Sequence, residues 1–329
     1  MTTRRALLCV LGAGALITGS GPARGQQPTR IPRVGMLWFI GSNESARIAT
    51  DLFRQRLTGL GYVEGKTILI DERFAEGNAP RLNELARELV RSKVDIIVTT
   101  AVAATIAARQ ATNTTPIVML NASNPIGAGL IESLARPGGN VTGISNVALG
   151  GKLVEVLHEL VPRLGKLAIL ANPTNAGIAP ARADIADAAR RFNISVVVVA
   201  EVTRAEDFPN AFAAIRNAGP DGLLVLADPL IDTHRTEVID FVASARLPTI
   251  YDNGAFTTRG GLISYSPVYL ESYALAAVYV DKILKGAKPA DLPVQQPTKF
   301  ALIINLKTAK ALGITIPQTL LVRADNVIE

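Results

Sequence analysis

The stretch GLGYVEGKTILI, residues 59–70, admits two readings, and the choice between them decides the fold. Gly65-Lys66-Thr67 is the ending of a phosphate-binding loop, which would make the chain a nucleotide-hydrolysing enzyme. That loop needs a further glycine separated from the Gly-Lys pair by four residues. The position is 60, and it holds Leu60; Gly59 is one residue too far and Gly61 one too near. The context is inverted as well. A phosphate loop follows a strand and opens a helix, whereas this stretch closes the amphipathic segment Glu44 to Leu60 and opens the apolar run Thr67-Ile68-Leu69-Ile70. Gly61 is placed as a helix C-cap and Glu64-Gly65 as a turn. The stretch therefore reads as a helix-to-strand connection.

Working outward, the same alternation runs along the whole chain. RVGMLW (33–38) precedes the first helical segment, and TILIDERF (67–74) follows it. NAPRLNELARELVRS (78–92) has Asn78 as N-cap, Pro80 in the first turn, and Leu82, Leu85, Ala86, Leu89 and Val90 at helical spacing. VDIIVTT (94–100), PIVML (116–120) and NVTGIS (140–145) complete a first series. A second begins near Leu149, with strands KLAILAN (166–172), SVVVVA (195–200), DGLLVLAD (221–228) and LPTIYD (247–252). SVVVVA does not alternate, as expected of a parallel strand covered on both faces. Thr203 and Glu206 have the spacing of a capping box. Alternating strands and helices give parallel sheets covered by helices on both sides, so two series predict two doubly wound α/β lobes.

In such sheets a ligand binds outside the carboxyl ends of the strands. The loops there are short and rich in Gly, Asn, Ser and Thr, which presents backbone N–H groups at helix N-termini and suits an anion such as a carboxylate. In the first series they place Ser42 and Asn43, Thr99, Thr100 and Ala101, and Asn121 and Ser123 as candidate binding residues. Each of these can instead cap its helix. In the second series the candidates are Asn172, Asn175, Asp228, Tyr251 and Asp252. Asp228 ends a strand and precedes Pro229. It suits either a carboxylate partner for a ligand's cationic group or a cap for the helix carrying Leu230 and Ile231.

No catalytic constellation competes with this. His158 and His234, the two histidines, lie in different segments, and no Gly-x-Ser-x-Gly elbow exists. Asp71 and Glu72 are adjacent on a strand and point to opposite faces. Cys9, the one cysteine, falls within the N-terminal segment, so a disulfide scaffold, a thiolate nucleophile and a cysteine-ligated metal are excluded from the rest. No metal and no cofactor is expected.

The N-terminus has the features of a secretory signal. Arg4 and Arg5 precede an uncharged apolar run from Ala6 to Gly19, and Ala23-Arg24-Gly25 puts small residues at a cleavage site before Gln26. The run is shorter than the roughly 20 residues a membrane span needs. Thr3-Arg4-Arg5 resembles a twin-arginine signal, and an ordinary Sec signal with two arginines reads equally from the same residues. Removing residues 1–25 lowers the formal net charge from +6 to +3, too mild to argue for nucleic acid. With 48% apolar residues the remaining chain can bury two cores.

Several stretches carry a family signature: LGYVEGKTILIDERFAEG, LARPGGNVTGIS, LVLADPL, LISYSP, YVDKILKGAKPADLPVQQPTKFALIINLKTAKALGITIP and LLVRADNVIE. From about Arg33 to the C-terminus the chain resembles the substrate-binding proteins of ABC transporters of the tryptophan/tyrosine type, which have the type I periplasmic binding fold. The resemblance implies two lobes joined by a three-crossing hinge, with crossings expected near Ser145–Gly150, Thr257–Gly261 and Pro297–Ala301. Lobe one is then 33–146 plus 261–298, and lobe two 147–260 plus 299–329. It implies a periplasmic monomer without enzymatic activity that captures a small solute, an amino acid or small carboxylate with aromatic ones included. Its partners would be that small molecule and an ABC permease in the inner membrane, with no nucleic acid. Ligand sensing for a membrane receptor is the alternative use of the same fold.

Overall fold

The computed structural model describes residues 30–329; the expected signal segment, with Cys9 and the cleavage site before Gln26, lies outside the described residues. The first series folds as β1 (Arg33–Trp38), α1 (Glu44–Gly59), β2 (Leu69–Phe74), α2 (Ala79–Arg91), β3 (Ile96–Thr100), α3 (Ala101–Ala111), β4 (Ile117–Ala122) and β5 (Val141–Ser145). The second runs through α4 (Gly150–Leu160), β6 (Lys166–Ala171), α5 (Ile178–Arg191), β7 (Ser195–Glu201), α6 (Phe208–Ala218) and β8 (Gly222–Val225). It continues through α7 (Pro229–Thr233), α8 (Arg235–Ala245), β9 (Thr249–Tyr251), α9 (Gly254–Thr257) and β10 (Ile263–Pro267). Then come α10 (Tyr269–Leu284), β11 (Phe300–Asn305), α11 (Leu306–Leu312), α12 (Gln318–Arg323) and β12 (Asn326–Ile328).

The strands form two sheets, ordered β2-β1-β3-β4-β5 and β12-β11-β10-β9-β8-β6-β7. The first is wholly parallel, and in the second only β10 and β11 run antiparallel. Strand alternation assigns the layers. Val34, Met36 and Trp38 of β1 pack with α1 and α10, while Leu37 packs with α2 and α3. Leu82, Leu85, Ala86 and Leu89 of α2 are buried as their helical spacing predicts, each leucine contributing about 1.5–3 kcal/mol. In the second lobe Leu167 and Ile169 of β6 face α4 and α5, and Ala168 and Leu170 face α6 and α8.

The opening stretch is the connection its sequence implies. Helix α1 stops at Gly59, Tyr62 N–H returns to Leu57 O at 3.0 Å, and Gly61 takes φ +94°, a left-handed value glycine adopts without strain. Thr67 spends its hydroxyl on the turn, accepting Val63 N–H at 2.7 Å, and β2 begins only at Leu69.

Three expectations change. Strand β10 pairs with β9 and β11, so residues 263–267 belong to the second sheet and not to the first lobe. The chain therefore crosses back between Pro267 and Tyr269, later than the 257–261 expected, because the pairing partners of β10 come from β9 and a strand more than thirty residues downstream. Secondly, β7 is the edge of its sheet and exposes Ser195, Val196 and Val197, although its apolar run reads as covered on both faces. Thirdly, the cap at Thr203 is built by Asp207: its carboxylate accepts Thr203 N–H, Thr203 Oγ1 and Arg204 N–H. Those donors hold the Asp207 carboxyl down at about 2.

The crossings are tied to each other. Gln295 N–H donates to Gly143 O and Ser145 N–H to Gln295 O, both at 2.9 Å, and Val268 N–H donates to Lys299 O at 3.1 Å.

Candidate ligand-binding cleft

The carboxyl ends of the two sheets line a common cavity of about 900 Å³. The first lobe contributes Ser42 and Asn43 after β1, Thr100 and Ala101 where β3 passes into α3, and Asn121 and Ser123 at the end of β4. The second contributes Asn175 and Asp228. These are eight of the twelve residues the sequence proposes. The other four lie elsewhere. Thr99 is fully buried, with its hydroxyl 2.8 Å from that of Thr105. Asn172 sits behind Asp228 and donates to its Oδ1 at 3.1 Å. Tyr251 is fully buried, stacked on Phe256, because its strand residue points into the core under α9. Asp252 lines a second, adjoining cavity of about 290 Å³.

Capping separates the candidates further. Asn43 accepts Ala46 N–H at 3.0 Å, and Asp228 accepts Leu230 N–H at 2.9 Å, so both serve as N-caps. Thr100 does not cap α3. The first-turn N–H groups of that helix have no side-chain acceptor, while Ala101 and Val102 line the cavity. The backbone there is strained: Ala101 has φ +67° and Asn121 φ +54°, positions L-residues avoid, and such outliers collect at ligand sites. A free, cleft-facing helix N-terminus attracts an anion.

The opposite wall is acidic. Asp228 is buried and holds Asn172, Asn175 (3.0 Å, to Oδ2) and Leu230 as donors; burial still raises its carboxyl above the ordinary value. Asp232 accepts Asn253 Nδ2 at 2.9 Å, but its Oδ1 is buried without a partner, and burial pushes it up to about 6 against the opposing charge of Arg235. Arg235 lies over the Phe256 ring, 5.2 Å from its centre, with Nε unpartnered. Asn121 Oδ1 is likewise buried and unpartnered on the first-lobe side. Groups of this kind converge where a bound molecule supplies the missing partners.

The sequence reading missed Asp232, Arg235, Asn253 and Tyr269, which line the same cavity. It also missed the aromatic wall. Trp38 stacks between Phe74 (5.9 Å) and Tyr273 (5.7 Å) and donates Nε1 to Glu72 at 3.2 Å. Tyr273 and Tyr269 come from α10, far along the chain, and no local pattern announces them. The histidines take structural places: His158 packs on Phe192, and His234 Nδ1 lies 3.0 Å from Leu230 O. Among the described residues no group of three or more His, Cys, Asp or Glu could hold a metal ion.

The cavity lies where the carboxyl ends of two doubly wound sheets face each other, which is where such folds hold a ligand. The model of one family, described as ABC transporter substrate binding protein, matches residues 34–328. The chain belongs to that family. It is 28% identical over 260 residues to a tyrosine-binding protein of Clostridioides difficile (strain R20291), covering 79% of this chain and 75% of the relative. An ABC domain from Streptococcus pneumonia, solved in complex with L-Trp, superposes with a TM-score of 0.85 at 26% identity, over 90% of this chain and 99% of that one. A conserved domain protein from Vibrio cholerae matches with the same TM-score at 28% identity, over 91% and 100%. The two-lobed α/β fold expected from sequence is that of these structures.

Proposed function

We propose that this substrate-binding protein is exported as a monomer, captures an amino acid with an aromatic side chain between its lobes, and delivers it to an ABC permease. One observation carries the reading: an uncapped, strained helix N-terminus at Ala101 opens on the same cavity as the unpartnered carboxylate oxygen of Asp232. A zwitterion satisfies both, its carboxylate on α3 and its ammonium on Asp232. An ammonium ion in a nearly dry cleft needs such a partner. The relatives that bind tyrosine and tryptophan support an aromatic side chain, and Asp228, already holding three donors, is left as the support of the acidic wall.

Calorimetric titration with L-tryptophan, L-tyrosine, L-phenylalanine and L-tyrosinamide tests the reading. The free aromatic amino acids bind, and the amide, lacking the carboxylate charge, binds at least about tenfold more weakly, as befits loss of a charge-assisted bond of about 1.5–3 kcal/mol. Equal binding of tyrosine and its amide would remove the carboxylate site; no binding by any of them would remove the amino-acid reading.

A further inference from the structure

The smaller cavity adjoins the cleft, since Ser123, Asn146, Asn175 and Ala227 line both. Its apolar lining comes from both lobes and the first crossing, through Pro125, Ile126, Leu134, Val147, Ile178 and Leu226, and Ser123, Asn124, Asn175 and Gln296 line it as well. Its volume of about 290 Å³ is far beyond the roughly 10–15 Å³ that one water needs. Three buried polar atoms among its lining residues have no partner: Ser145 Oγ, Asn146 Oδ1 and Asp252 Oδ1. Ser145 is fully buried. Asn146 lines the chamber just after β5, and Asp252 just after β9. Asn146 and Asp252 each leave an acceptor unfilled at this chamber, and an acceptor buried in that way is costly until a donor arrives.

We propose that this cavity seats the aromatic ring of the bound amino acid and that Asn146 and Asp252 accept a hydrogen bond from the ring's own donor, a phenol O–H or an indole N–H. The inference rests on the amino-acid reading above and names the substrate class within it. The register supports the placement. Thr100 pairs with Leu120 and Ala122 with Ser145, so the ends of β3 and β5 lie two strand spacings apart, about 10 Å. A ligand anchored by its carboxylate at the start of α3 then reaches, with its ring, the loop that carries Asn146. Phenylalanine fills the chamber but leaves both acceptors empty. A site built to pair a substrate donor discriminates strongly against the analogue that lacks it.

The experiment is calorimetry of L-tyrosine, L-tryptophan and L-phenylalanine on the wild-type protein and on Asn146→Ala and Asp252→Ala. The wild type is expected to bind tyrosine or tryptophan at least about tenfold more tightly than phenylalanine. In the variants that ratio falls towards one, mainly by loss of tyrosine or tryptophan affinity. Phenylalanine binding as tightly as both others to the wild type overturns the proposal while leaving the amino-acid reading in place. A preference that persists undiminished in both variants also overturns it, because the donor is then read elsewhere. If one variant does not fold, the other and the wild-type ratio decide. Failure of all three amino acids to bind the wild type overturns both readings together.

Discussion

Gly177 in the second lobe stands so close to Ser123 in the first that a Cβ on it would lie 2.5 Å from the Ser123 Cβ. Beside this contact, Asn124 Nδ2 donates to Ala176 O at 3.2 Å, so the lobes touch at a point where the two cavities adjoin. Gly177 has φ −76°, so its backbone suits any residue and the constraint is the close approach alone. Gly177→Ala should prop the lobes apart. Overpacking costs about 1–3 kcal/mol, and the lobes can relieve it by opening, so the loss appears in ligand affinity, roughly five- to a hundredfold, with the melting point of the free protein little changed. Calorimetry with L-tryptophan reads the affinity, and small-angle scattering reads the radius of gyration with and without it. A variant that binds and compacts as the wild type does would show that the contact takes no part in closure.

Of its two sequence readings, Asp228 shows the cap of α7. Its two oxygens are already served by Asn172, Asn175 and Leu230. Asp228→Asn keeps an oxygen for the cap and for Asn172 but turns an amide towards the Asn175 amide. The expected cost is about 1–3 kcal/mol of folding stability, the penalty of an unsatisfied buried donor, with a modest change in affinity. Denaturant unfolding together with L-tyrosine titration separates the two. A hundredfold loss of affinity in a protein of unchanged stability would make Asp228 the ligand's cation partner as well as a cap.

Much of this was legible in the chain. The helical spacing in α2 and the glycines at 61 and 65 are local signals, and they fix the elements and the ends of strands where the cleft must lie. The loops carrying Thr100, Asn121 and Asp228 follow from those ends. Three kinds of information are not local. Strand β10 belongs to the second sheet because of partners it meets only in the fold. Tyr251 and Asp252 are neighbours in sequence, yet strand alternation sends Tyr251 into the core and leaves Asp252 at the smaller cavity. Trp38 and Tyr273 meet from opposite ends of the chain. Capping geometry, which separates Asn43 and Asp228 from Thr100, cannot be read from residue types that serve caps and ligands equally.

Ala101 gives a test of the strain. A left-handed backbone costs an L-residue about 1–2 kcal/mol, and glycine avoids that cost at a smaller entropic one. With φ +67°, Ala101→Gly is expected to be neutral or stabilising by up to about 1 kcal/mol, and Ala101→Val destabilising by about 1–3 kcal/mol. Urea titration measures both. If valine is tolerated as well as glycine, the turn is not strained. Thr100→Pro is a poorer probe of the same loop, because Thr100 is the last residue of β3 and is paired with Leu120.

The acidic wall makes stability depend on pH in a stated direction. Burial raises Asp232 to about 6 and Asp252 to about 8, both from 3.8. A carboxyl raised by folding holds its proton more tightly in the folded state, so the folded state binds more protons between the unfolded and folded values, and stability falls there as pH rises. These two contributions are fully present below about pH 4 and are lost as pH climbs through 6 and then 8. Asp207, held at about 2, acts in the opposite sense: its contribution stands above the ordinary carboxylate value and is lost as pH falls towards 2. The ligand-free protein should therefore melt highest near pH 4–5 as far as these groups decide it. Asp252→Asn removes the charge that burial opposes, so it should gain several kcal/mol over the wild type at pH 9, up to about 6, and almost nothing at pH 4. With the ammonium on Asp232 as proposed above, saturating L-tryptophan should flatten the slope between pH 4 and 7, because a charged Asp232 then has its partner. Melting curves across pH, with and without tryptophan, read all of this. A gain for Asp252→Asn that is the same at pH 4 and pH 9 would mean that the side chain ionises without hindrance.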